Sequence, residues 1–128
     1  MRYETKKLLK VLKDYGTIIV GVDFDDTVFP LNDTIYIRTR CNKVVTLLKE
    51  LKDKITICLY SVAGDQSLKY KKYIMETLGI KPAYINESPI KLGNEVKPYF
   101  NILLDDKAGL NEAIEILTEF KNKIHETN

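Results

Sequence analysis

Three carboxylates, Asp23, Asp25 and Asp26, stand together directly after the apolar run Ile18, Ile19, Val20, Val22. A second acidic pair, Asp105 and Asp106, closes another apolar run, YFNILL. Clustered like charges repel and resist leaving water, so neither group serves stability. A cation relieves both, and an all-oxygen donor set suits magnesium best. Ser61 follows the run ITICLY, and Lys91 and Lys97 lie between that run and the second acidic pair. Carboxylates, a hydroxyl, a lysine and a divalent cation are the parts phosphoryl transfer needs: a nucleophile, donors to the phosphoryl oxygens, and charge neutralisation.

The elements that must position these groups alternate in type. Leu8, Leu9, Val11, Leu12 and Tyr15 form one stripe of an amphipathic helix over 3–14, closed by Gly16. A β-branched strand over about 18–23 follows, of the kind buried on both faces in a parallel sheet. The segment 28–40, with a turn signal and an alternating TIYIR run, predicts a small flap or hairpin. Helices are predicted over about 41–53, from Asp65 (as N-cap) to Leu78, and over 108–124; further strands over 55–60, 83–86 and 99–104. The stretch 87–98 holds two prolines and a glycine and is predicted to be a long loop. Strand–helix alternation predicts an α/β fold: a three-layer α/β/α sandwich around a parallel sheet of about four strands with right-handed crossovers. Ligands in such folds sit beyond the carboxyl ends of the strands, where Asp23, Ser61 and Asp105 all fall.

Composition narrows the function classes. The 128 residues carry a net charge of +2, too little to imply nucleic-acid binding as such, with 45% hydrophobic and 30% charged residues. That length fits one domain over 1–128. No run approaches a membrane span, and MRYETKKLLKVLKDY lacks the apolar core of a signal peptide, so a cytoplasmic protein is expected. Cys41 and Cys58 read as reduced thiols, and the single His125 near the end excludes a histidine-based metal site or triad. Lys6, Lys7, Lys10 and Lys13 read as a solvated helix face, Asp26 as a turn-former or supporting acid, and Tyr36 as exposed by pattern.

An apolar strand followed by Asp23-Phe24-Asp25-Asp26-Thr27 resembles the DxDxT motif of the haloacid dehalogenase superfamily. The order acidic pair, hydroxyl, lysine, acidic pair over roughly 18–110 is similar to the four motifs of that family. The resemblance implies a small, capless, magnesium-dependent phosphatase. Asp23 would be the nucleophile that becomes an aspartyl phosphate, and Asp25 the general acid and base. Ser61 would bind phosphate, Lys91 would offset charge and bind phosphate, and Thr27 would steady the turn. Magnesium would be held by Asp23, by the Asp25 backbone carbonyl, and by Asp105 or Asp106. An acid at Asp25 is what phosphatases need and dehalogenases do not, although phosphomutases share it. Lys97 is the rival to Lys91. It would enter the last strand at the amino end, roughly 20 Å from Asp105 at about 3.3 Å per residue.

The partner implied is a phosphorylated substrate, either a small molecule or a macromolecular end, with nucleic acid entering only in that role and no membrane. An open site also suits closure by oligomerisation. The alternative reading is a phosphoacceptor signalling or binding module of the receiver type, which has similar length and similar groups. There, however, the phosphorylated aspartate comes on a later strand and the lysine comes last. A catalytically silent relative is a third reading, but all the motif acids are in place.

Overall fold

The computed structural model describes residues 1–90 and 98–126. Its elements run α1 (Tyr3–Tyr15), β1 (Ile18–Val22), α2 (Ile35–Glu50), β2 (Ile55–Leu59), α3 (Asp65–Thr77), β3 (Tyr84–Ile85), β4 (Ile102–Leu104) and α4 (Leu110–Glu126). The four strands form one parallel sheet in the order β3-β2-β1-β4, consistent with Rossmann-like α/β/α layering. β1 lies in the middle because its residues are all buried. The chain steps outward from it to β2 and β3, then returns to place β4 on its other side.

Alternation along β1 divides its side chains. Ile18, Val20 and Val22 join the main hydrophobic cluster with Val44, Leu47, Leu48 and Leu51 of the α2 region, Met75 of α3, and Leu117 and Phe120 of α4. Ile19 and Gly21 point the other way. A Cβ at Gly21 would lie 2.5–2.7 Å from the ring of Phe100, so only glycine lets that ring cover the strand. Phe100 in turn meets Tyr60 edge to face, with centroids 5.8 Å apart.

Three expectations need correction. TIYIR is not part of a flap: Thr34 caps α2, its hydroxyl accepting from the Ile37 N–H at 3.1 Å, and Ile35–Arg40 are the first turns of that helix. Ile37, Cys41, Val44 and Leu48 already follow the helical period, and that stripe prevails over the short alternation. Gly64, not Asp65, is the N-cap of α3, and no side chain caps it. β4 begins at Ile102 because the Asn101 side chain intervenes: Asn101 Oδ1 accepts from the Ile19 N–H at 2.7 Å, while the Asn101 N–H donates to Ile19 O at 2.8 Å.

Cys41 and Cys58 are buried and unpaired, and burial pushes each thiol up to about 11. Neither is a nucleophile at neutral pH. Among the described residues no helix is long and apolar enough to cross a membrane.

The contact at Gly21 gives a direct check on the sheet. Gly21→Ala should cost about 1–3 kcal/mol by overpacking, read from the urea midpoint. Adding Phe100→Ala should recover part of that loss. A Gly21→Ala protein as stable as wild type would show that Phe100 does not lie on β1.

Candidate functional site

Register builds the site. Val22 pairs with Leu59 on one side and Leu104 on the other, and Leu59 pairs with Ile85. The next row across the sheet is therefore Asn86, Tyr60, Asp23 and Asp105. The ladder continues into it: Asp23 N–H donates to Leu104 O at 2.9 Å, Tyr60 N–H to Val22 O at 2.8 Å, and Asn86 N–H to Leu59 O at 2.8 Å. Neighbouring strands lie about 4.8 Å apart, so Asp23 and Asp105 are forced side by side.

Beyond Asp23 the chain turns tightly around one carbonyl. Phe24 O accepts from the N–H groups of Thr27, Val28 and Phe29 at 3.1–3.3 Å, and Phe24 stacks on Phe29. Asp26 takes a left-handed conformation, φ 59°, a region aspartate tolerates better than most residues. Its buried carboxylate accepts from Asn32 N–H at 2.8 Å and Asn32 Nδ2 at 2.6 Å. Burial opposes that charge. The hydrogen bonds from Asn32 and Leu31 and the charge of Arg40 outweigh it and hold the carboxyl below its ordinary value. Asp26 is thus a loop clamp. Thr27, fully buried, accepts the Asp106 N–H on its hydroxyl at 3.0 Å. It ties the loop after β1 to the loop after β4.

Ser61 stands one residue past that row, also buried, its N–H donating to Asn86 Oδ1 at 2.8 Å. Its hydroxyl accepts from Lys71 Nζ at 3.0 Å, and the same ammonium lies 3.8 Å from Asp25 Oδ2 and over the Phe24 ring. Lys71 comes from α3. Its side chain is only 12% exposed, so the cation is delivered into the cleft and not left in solvent. The lysines expected from sequence, Lys91 and Lys97, both lie outside the described residues. Lys71 went unnoticed in the sequence, although a signal for it was there. Leu68, Lys71, Met75 and Leu78 form one helical stripe, and a lysine on an apolar stripe requires a partner. Asn86, which holds the Ser61 loop from β3, also escaped notice in the sequence.

The two acids after β4 are not equivalent. Asp106 forms an ion pair with Arg40 of α2. It does not cap α4, which starts at Leu110. Asp105 accepts its own turn's Lys107 N–H at 2.9 Å and acts on Asp23. Burial first, then the charges of Asp105 and Asp25, push the Asp23 carboxyl from 3.8 up to about 6, against the Phe24 N–H and Lys71.

Asp23, Asp25, Ser61, Lys71, Asp105 and Asp106 line one cleft of about 610 Å³. A larger groove of about 870 Å³ runs between α2 and α4, but it is walled by helix surface and holds none of these strand-end groups. Among the described residues no three metal-binding side chains form a ligand cluster by themselves. Two carboxylates, Asp23 and Asp105, remain for a cation, with the Asp25 carbonyl as a third donor by resemblance. That set fits magnesium, which keeps several waters and takes few protein carboxylates, and it fits the unrelieved charge at Asp23. It would suit a fully dehydrated ion poorly.

Two measurements check this electrostatic picture. Asp26→Ala should lose about 2–3 kcal/mol in a urea melt, since hydrogen bonds to a charged group and a left-handed position are both forfeited. Asp105→Asn keeps the acceptor for Lys107 but removes the repulsion on Asp23. An acid whose folded-state value is raised destabilises the fold above that value and ceases to do so below its ordinary one. Metal-free Asp105→Asn should therefore melt higher than wild type at pH 8, with the gap closing towards pH 4. No gap at pH 8 would mean that the two acids do not interact.

No protein-family model, no curated protein and no solved structure matches this chain.

Proposed function

We propose that the protein is a magnesium-dependent phosphomonoester hydrolase of haloacid dehalogenase type, with that superfamily's three-layer Rossmann-like architecture and no cap domain. One observation carries the reading: strand register and α3 together bring two aspartates in DxD spacing, a serine, a lysine and a second-strand aspartate into one cleft. The absence of a cap after β1 is supported by the connection from Val22 to Ile35, which Asp26 clamps through Asn32.

In this reading the phosphoryl group sits against Ser61 and Lys71, the hydroxyl and the ammonium both donating to its oxygens. An Asp23 oxygen attacks phosphorus as the bond to the leaving oxygen breaks, and Asp25 gives that oxygen a proton. Asp25 then takes a proton from water as the water attacks the aspartyl phosphate, releasing inorganic phosphate and regenerating the Asp23 carboxylate. Magnesium, held by Asp23, Asp105 and the Asp25 carbonyl, would neutralise charge on the phosphoryl oxygens. Lys71 takes the role that resemblance assigns to a lysine further along the chain. It contacts Ser61, and its stem is fixed by burial along α3.

The test is hydrolysis of p-nitrophenyl phosphate with and without chelator. Chelation should abolish turnover, and Asp23→Asn should remove both turnover and any trapped phosphoenzyme. Lys71→Ala should lower kcat/KM by about 10²–10³-fold, the scale of losing one preorganised donor. Asp25→Asn should lose more activity on alkyl phosphates than on p-nitrophenyl phosphate, whose leaving group departs without a proton. Turnover indifferent to chelator would remove the metal. Full activity in Lys71→Ala with loss in Lys91→Ala would return the lysine role to the later segment.

A further inference from the structure

Arg40 has no part in the chemistry just described, yet among the described residues it is the most heavily engaged cation near the cleft. Its Nη2 pairs with Asp106 and also donates to the backbone carbonyl of Asp26 at 3.3 Å. The guanidinium stacks on Tyr36, 5.3 Å from the ring centroid, and its Nη1 lies 3.5 Å from Asn111 Oδ1. Asn111 Nδ2 donates in turn to the Tyr36 hydroxyl at 3.0 Å. The Arg40 side chain is 11% exposed and that of Asp106 25%.

Such a pair is a poor device for stability alone. Desolvating both partners roughly cancels their attraction, and Arg40 Nε is buried with no hydrogen-bond partner among the described residues. Its placement does have an electrostatic consequence. Among the described residues, five carboxylates line the cleft against two lysines. Arg40 and one divalent cation together cancel the remaining three charges, so a phosphate dianion enters a site without net repulsion.

Resting on the magnesium-phosphatase reading, we infer that Arg40 is a positioning residue that sets the charge of this site. It holds Asp106 out of the metal's ligand set, so that β4 offers the cation one carboxylate, and it trades metal affinity for phosphate affinity. This separates two roles that the adjacent acids would otherwise share. Asp105 faces the cation, and Asp106 anchors the loop through Arg40 and, by its N–H, through Thr27.

The inference is tested by the opposite signs it demands. Magnesium is titrated calorimetrically into the full-length protein, and inorganic phosphate is titrated in the presence of saturating magnesium. Arg40→Met should bind magnesium about tenfold more tightly and phosphate about tenfold more weakly, as expected for losing one positive charge several ångströms away. Arg40→Lys should keep both affinities near wild type. Asp106→Asn should reverse both signs: magnesium modestly weaker, phosphate tighter. It provides the check should Arg40→Met fail to fold. A purely structural Arg40 would weaken both ligands together in Arg40→Met, and that result overturns the inference. So does loss of magnesium binding by orders of magnitude in Asp106→Asn, which would make Asp106 a direct ligand. Wild-type protein that binds no magnesium would overturn the metal site itself and this inference with it. Normal wild-type binding that Arg40→Met leaves unchanged overturns this inference alone.

Discussion

Parallel register forces Asp23 and Asp105 into adjacent positions at the carboxyl edge of the sheet, and the surrounding structure answers that repulsion. Three other acids nearby have a hydrogen-bond or ionic partner. Asp26 is held by Asn32 and Leu31 N–H groups, Asp106 by Arg40, and Asp25 lies within reach of Lys71. Asp23, half-buried beside Asp105, is held up at about 6. A fold selected for stability would place an apolar residue or an amide there. Local conflict of this kind makes Asp23 a candidate for a functional role.

The cations that answer the acids arrive by a common device. Lys71 stands at the amino-terminal half of the apolar stripe of α3, with Met75 and Leu78 behind it. Arg40 stands in the same way on α2, ahead of Val44, Leu47 and Leu51. In parallel α/β units the helix after a strand begins at the carboxyl edge of the sheet. A long basic side chain early on the buried stripe therefore lays its stem on the core and delivers its head to the strand ends. Loops bring the acids and helices bring the counter-charges.

That division explains what could be read from the sequence. Strand positions were legible because runs such as IIVGV and ITICL suit no other environment than a doubly covered parallel sheet. The acids and Ser61 were legible because they end those runs. The start of α2 was not, since TIYIR satisfies period two over a few residues, and only the longer stripe through Val44 and Leu48 reveals the helix. Asn101 was hidden for a different reason. Its side-chain oxygen replaces a backbone acceptor in the ladder, which no periodicity records. Lys71 and Arg40 were hidden because they interrupt apolar stripes. A charged residue at such a position reads as noise in an amphipathic pattern until the strand end opposite it is known.

Thr27 shows how the loops around the cleft are tied together. Its hydroxyl spans 79 residues of sequence to reach Asp106, while Asp26, one residue earlier, clamps Asn32 and gives its carbonyl to Arg40. The loops after β1 and β4 are therefore joined to each other and to α2 along one wall of the cleft. Asn86 does the same for the loop after β2. Asp26, Asn32, Ser61 and Asp106, which make these ties, themselves line the cleft, beside the fully exposed Val62. In the proposed reaction, the sheet and these ties would set the geometry at the phosphorus. Discrimination between leaving groups in that reaction would fall to whatever lies beyond these ties.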